Sequence, residues 1–137
     1  MSRSRLSRAL VVLGAVVFLV APAAAQYGHP LKGQWSGEWK SGAEQRRLLL
    51  DLHWDGKAIT GTINPGANPA TVSAVTFDYS NPSAWKVRLE AESKDASGKP
   101  LEILVDGTLE NIGAYYRVFH GTWTEGNRKG AFTVTRN

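Results

Sequence analysis

Gly33-Gln34-Trp35-Ser36-Gly37-Glu38-Trp39-Lys40 decides the fold. Trp35, Gly37 and Trp39 fall on one side of an alternation; Gln34, Ser36, Glu38 and Lys40 fall on the other. A period of two with one apolar face is a β-strand packed on one side and wet on the other. The Gly-x-Trp of its start returns as Gly121-Thr122-Trp123, one strand before the end.

Working outward, the same period recurs in seven further segments. Residues 45–54 set Leu48, Leu50, Leu52 and Trp54 against Arg47, Leu49, Asp51 and His53. Residues 57–64 set Ile59, Gly61 and Ile63 against threonines, after Asp55-Gly56, a tight hairpin signal. Residues 71–79 are predicted to turn Val75, Phe77 and Tyr79 inward. Residues 85–92 alternate most cleanly: Trp85, Val87, Leu89 and Ala91 against Lys86, Arg88, Glu90 and Glu92. Segments over 101–109, 115–124 and 129–136 complete the set, with Leu101, Ile103, Val105, Phe132 and Val134 on apolar faces. The links carry Gly, Pro, Asn and Asp, the residues of turns.

Residues 26–137 hold no sustained helical period, and every link is short. Short links join antiparallel neighbours, so the expected topology is an up-and-down meander. With eight strands and one apolar face, closure removes the exposed edges. The predicted class is all-β: an eight-stranded antiparallel up-and-down β-barrel over 33–137. A two-sheet sandwich is the competing architecture.

The first 25 residues read differently. Arg3, Arg5 and Arg8 precede an apolar run from Ala9 to Val20 and a small-x-small end at Ala23 and Ala25. That order is a secretory signal peptide over 1–25, too short in its apolar part for a membrane span. The expected location is therefore periplasmic or secreted, with no membrane span after cleavage and an N-terminal arm over 26–32. Of 16 basic residues against 12 acids, net +4, three lie in this leader with no acid beside them. The rest of the chain is nearly neutral. Its adjacent basic pair Arg46-Arg47 has members that face opposite sides of a strand. Nucleic acid is accordingly not an expected partner. The chain has no Cys, so its stability must come from a core rich in Trp.

In strand count and in Gly33-Gln34-Trp35 the chain resembles the calycin group of lipocalins, avidins and intracellular fatty-acid-binding proteins. The resemblance implies a first-strand Trp closing one barrel end and a basic last-strand residue across it, here Trp35 and Arg136. Such a guanidinium can lie on indole while its rim donors reach carbonyls at the barrel mouth. The lipocalin Thr-Asp-Tyr element and the avidin biotin-site pattern have no counterpart here.

No motif carries catalysis. There is no Cys nucleophile, no Gly-x-Ser-x-Gly elbow and no phosphate-binding Gly loop. His29, His53 and His120 are not spaced as metal ligands. No enzyme activity, catalytic residue, metal or cofactor is expected. One polar feature stands out. If Phe119 and Trp123 face inward, parity puts Tyr115, Arg117 and Gly121 with them, and a buried Arg needs an anion or carbonyls. The opposite register would turn Val118, His120 and Thr122 inward and leave Arg117 in water. The first register makes Trp35, Trp39, Tyr115, Arg117, Trp123 and Arg136 the candidate ligand-binding set. The expected function is binding of a small, largely apolar ligand in the barrel interior. The alternative is a module for an exported protein partner, such as a protease-inhibitor-like barrel with a packed core and an entering arm. Whether the tryptophans line a pocket or fill it separates the two.

Overall fold

The computed structural model describes residues 28–66 and 68–137. The leader read over 1–25, and Gln26 and Tyr27 of the arm, lie outside the described residues. Eight strands follow the arm: β1 (Gly33–Ser41), β2 (Glu44–Trp54), β3 (Ile59–Ile63), β4 (Ala70–Asp78), β5 (Ala84–Lys94), β6 (Pro100–Glu110), β7 (Val118–Glu125) and β8 (Arg128–Arg136). Each pairs antiparallel with the next, and β8 returns to β1 to close a barrel. The β1–β8 ladder, from Trp35↔Arg136 to Lys40↔Ala131, rules out the sandwich.

Closure brings backbones close together at glycines. A Cβ at Gly37, Gly61 or Gly121 would stand 1.9, 2.1 or 2.2 Å from a carbonyl oxygen of the adjoining strand. No side chain fits there, so these positions let the wall coil tightly.

Period two holds almost everywhere. Trp35, Trp39, Leu48, Leu50, Leu52, Val87, Leu89, Ala91, Ile103, Val105, Leu109, Phe119, Trp123, Phe132 and Val134 are all buried and all on the inward parity. Phe119 meets Phe132 edge-on at 5.0 Å, and Trp123 meets Phe132 at 5.5 Å. Trp35 completes the aromatic column, 6.4 Å from Phe119. A hollow barrel would leave these inward faces accessible to a water-sized sphere. Trp35, Trp39, Leu48, Leu89, Val105, Leu109, Phe119 and Val134 are instead 0 % exposed, so the middle of the barrel is filled. The tryptophans pack a core; they do not line an internal chamber.

Two expectations need correction. In β4 the inward residues are Ala70 and Val72 first, then Val75 and Phe77. A bulge at Ser73, between the pairs Val72↔Ala91 and Ala74↔Glu90, shifts the parity by one. Tyr79 lies past the strand end and is 53 % exposed, stacked on Phe77 at 5.5 Å. In β7 the ladder stops at Glu110↔Val118. Asn111 has φ +58° and accepts the Ala114 amide at 2.9 Å, and residues 115–117, the first assigned to this segment, lie outside the strand. The alternation therefore does not reach Tyr115, which is 69 % exposed.

Candidate functional site

The barrel has two ends. The arm end gathers the start of β1, the end of β8 and the β2–β3, β4–β5 and β6–β7 links. The far end gathers the β1–β2, β3–β4, β5–β6 and β7–β8 links. The predicted site residues divide between them: Trp35, Arg117 and Arg136 with exposed Tyr115 at the first, Trp39 and Trp123 at the second.

At the arm end the chain plugs its own barrel. Leu31 is fully buried in the core, beneath Trp35. Three successive arm carbonyls each accept from a different side chain. Pro30 O takes Arg117 Nη1 at 3.3 Å, Leu31 O takes Trp35 Nε1 at 2.9 Å, and Lys32 O takes Arg136 Nε at 2.9 Å. Arg117 also donates through Nε to Ile112 O at 2.8 Å. Burial first, and the neighbouring Arg136 charge second, lower the Arg117 pKa from its ordinary value. Carbonyl acceptors are what a half-buried guanidinium needs. Arg117 thus faces neither the barrel interior nor open water. It sits at the rim and holds the arm.

Arg136 does reach a mouth carbonyl, as the resemblance implied, but its guanidinium crosses Gly33. A Cβ on Gly33, at φ +130°, would stand 2.6 Å from Arg136 Nε. This is a physical reason for the Gly in Gly33-Gln34-Trp35: it leaves room for the clamp. The arm itself is tightened by His29, whose Nδ1 accepts the Leu31 amide at 3.1 Å. The His29 ring lies 4.7 Å from Trp54, 4.8 Å from Phe77 and 5.9 Å from Trp85. Burial lowers its pKa from the ordinary value.

The far end is arranged differently. Arg46 and Arg128 lie over Trp39, their guanidinium carbons 4.6 and 5.2 Å from its ring centre. The cation–π contacts therefore fall on Trp39 and not on Trp35. Arg46 Nη2 meets Glu125 Oε2 at 2.5 Å, and Arg128 pairs with Glu44. Trp39 Nε1 donates to Trp123 O at 3.2 Å, which locks the two tryptophans together. Beside them lies a cleft of about 400 Å³, between β2, the β3–β4 link, the β5–β6 turn and the end of β7. Ile63, Ala70, Leu101, Ile103 and Trp123 supply its apolar surface, and Arg46, Glu125 and Arg128 stand at its polar side. Two buried donors here, Trp123 Nε1 and Arg46 Nε, have no acceptor among the described residues. Leaving a buried N–H unpaired costs on the order of 1–3 kcal/mol, so each such atom asks for an explanation. A larger hollow, about 440 Å³, runs over Gly37 and Thr133 on the outer wall; neither unpaired donor lines it.

Arg46, Glu125 and Arg128 were not among the expected site residues. The signal was present: Arg46 shares parity with Leu48, Leu50 and Leu52, Glu125 with Trp123, and Arg128 with Phe132. A charged residue on an inward parity at a strand end is a mouth residue.

The His–carboxylate pairs, His53 with Asp51 at 3.4 Å and His120 with Glu110 at 3.3 Å, lie on the outer wall. Among the described residues no group of three or more His, Cys, Asp or Glu is placed to hold a metal. In comparisons with known proteins, no family model, no curated protein and no solved structure matches this chain.

Proposed function

We propose that the chain is an exported, calycin-like barrel that binds a small, largely apolar molecule at its far end, without catalysis. The interior is filled, so the ligand seat moves to the cleft beside Trp39 and Trp123. The cleft's volume is within the usual range for small-molecule sites, and apolar walls with few polar anchors are what such sites use. One observation carries the reading. Trp123 is 1 % exposed, lines the cleft, and its indole N–H has no acceptor among the described residues. A ligand acceptor at that point would complete it. Export rests on the basic, apolar, small-x-small order of residues 1–25.

Tryptophan fluorescence tests the seat. Titration with a panel of compact apolar molecules should change the emission of the intact chain. Trp123→Phe, which removes the N–H and keeps an aromatic ring, should weaken binding. Arg117→Gln at the arm end should leave it unchanged. Binding that ignores Trp123→Phe defeats the reading.

The filled interior is the outcome that the sequence assigned to the partner-protein reading, and that reading has a further observation of its own. Tyr79, Tyr115 and Tyr116 are 53, 69 and 65 % exposed, all at the arm end. Exposed tyrosines are favoured in protein interfaces. They support a partner protein docking there, on the barrel rim. An entering arm suits that partner less well, because residues 29–32 are already bound to the barrel. A partner lost with Tyr115→Ser and Tyr116→Ser but retained with Trp123→Phe would favour this reading over the first.

A further inference from the structure

We propose that the far-end cleft takes a compact monocarboxylate: one carboxylate oxygen on Trp123 Nε1, the other on Arg46 Nε. This inference rests on the cleft being the ligand seat and adds the chemistry of its anchor.

The donor set argues for it. Both unpaired atoms are N–H donors and neither is an acceptor. The missing group must therefore present acceptor lone pairs to two donors. An amide has one acceptor and brings N–H groups of its own. A carboxylate is acceptor-only and offers two oxygens.

The charge arrangement narrows it further. The charged side chains on the cleft are Arg46, Lys94 and Arg128 against Asp95 and Glu125. With Glu44, which holds Arg128 from outside the lining, the charges balance, which leaves no surplus to hold a dianion. The Nη2 corner of Arg46 is already held by Glu125, and Arg128 is held by Glu44. Nε is the buried donor of Arg46 that has no partner. Its plane is set by Trp39 beneath it, 4.6 Å from the guanidinium carbon. A second carboxylate on the ligand would meet Glu125 and Asp95, so dicarboxylates are rejected by like charge.

Leu101 is the partly exposed large apolar side chain of the cleft, with buried Ile63 and Ile103 behind it, and it meets a short alkyl or aryl body. A cleft of about 400 Å³ holds a compact one. A free organic acid and the C-terminus of a peptide ending in an apolar residue share this chemistry. Both nitrogens are shielded from solvent, so rim side chains must part for entry and association is slowed.

The experiment uses hexanoate and phenylacetate as probes, with hexanamide, phenylacetamide and adipate as their partners, read by calorimetry and tryptophan emission. An acetylated tripeptide ending in Leu, as free acid and as C-terminal amide, distinguishes the two sources. The acids should bind at least about tenfold more tightly than the amides, the ratio a charge-assisted hydrogen bond supplies. Adipate should bind worse than hexanoate. Trp123→Phe and Arg46→Lys, which keeps the charge and drops the Nε donor, should each cost about tenfold in acid affinity and little in amide affinity. Thermal melts of both variants confirm that they fold. Acid and amide binding alike, with both weakened by Trp123→Phe, overturns the carboxylate and leaves the seat standing; a fixed water on the two donors would give that result. Binding indifferent to Trp123→Phe overturns the seat itself. No binding by any probe at millimolar concentration overturns both.

Discussion

The two ends of this barrel are built from the same parts and use them in opposite ways. Each pairs a β1 tryptophan with two arginines, Arg117 and Arg136 at one end and Arg46 and Arg128 at the other. At the arm end Trp35, Arg117 and Arg136 spend their donors on three consecutive carbonyls of the chain's own arm. At the far end Trp123 Nε1 and Arg46 Nε are buried with no acceptor among the described residues. A Trp–Arg cluster at a barrel mouth is therefore not in itself a site. What distinguishes a cap from a seat is whether the donors are already matched.

The comparison is most severely tested at Trp35. It is 0 % exposed and holds both the aromatic column and the arm. Trp35→Ala should cost about 3–5 kcal/mol, measured by urea melts against the parent chain. A loss within about 0.5 kcal/mol, the surface value, would mean that the end is not plugged by this residue.

Arg117→Gln sharpens the division of labour. It removes the donors to Ile112 O and Pro30 O and leaves two carbonyls less well satisfied. A stability loss of about 1–3 kcal/mol is expected, with no change in ligand affinity at the far end. Weakened binding would place the ligand at the arm end and reverse the assignment of the two ends.

One chemical change made at both ends isolates the hydrogen bond. Trp35→Phe deletes the donor to Leu31 O, whereas Trp123→Phe deletes a donor that has no partner. Both lose similar volume. Trp35→Phe should therefore be the more destabilising, by about 1 kcal/mol, the net worth of a buried hydrogen bond. Equal losses would show that Trp123 Nε1 is satisfied after all.

Most of the fold was legible because period two is a local signal repeated along every wall strand. Gly33–Ser41 and Ala84–Lys94 alternate without fault, and the short turns left the meander as the simplest connection. The bulge at Ser73 was not legible: one extra residue shifts the parity of β4 without changing its composition. The candidate site was half legible. Trp39 and Trp123 were reached by parity; Trp123 lines the cleft and Trp39 is bonded to its carbonyl. Parity carried past the last ladder pair misplaced Tyr115, because alternation has no meaning once the strand has ended. Arg117 and Arg136 were singled out correctly as arginines in need of partners. That their partners are the carbonyls of residues 30–32 depends on how the arm folds back, which no spacing reports. Arg46 was read only as half of a basic pair whose members face opposite sides of a strand, although its parity with Leu48 marks it as the inward one.

The gentlest test of the comparison is pH, because only the arm end carries a half-buried histidine. His29 accepts the Leu31 amide on Nδ1, so the bonded form must be neutral there. Burial among Trp54, Phe77 and Trp85 pushes the same way and holds the folded-state pKa below the ordinary value. Above about pH 7.5, a unit over the ordinary value of about 6.5, the imidazole is neutral folded or unfolded, and it adds no pH dependence. As pH falls below that, the unfolded chain takes up a proton that the folded chain refuses. Stability must then decline with falling pH until the folded-state pKa is reached. The uptake on unfolding is at most one proton. Urea melts between pH 7.5 and pH 5 of the parent and of His29→Gln, which keeps an acceptor and cannot titrate, isolate it from His53 and His120. The parent should lose stability relative to the variant as the medium becomes acidic, and the loss should shrink in Leu31→Ala, where the arm is already loosened. Parallel pH profiles would mean that His29 is not held neutral by the barrel, and the arm end would then rest on the Trp35, Arg117 and Arg136 contacts alone.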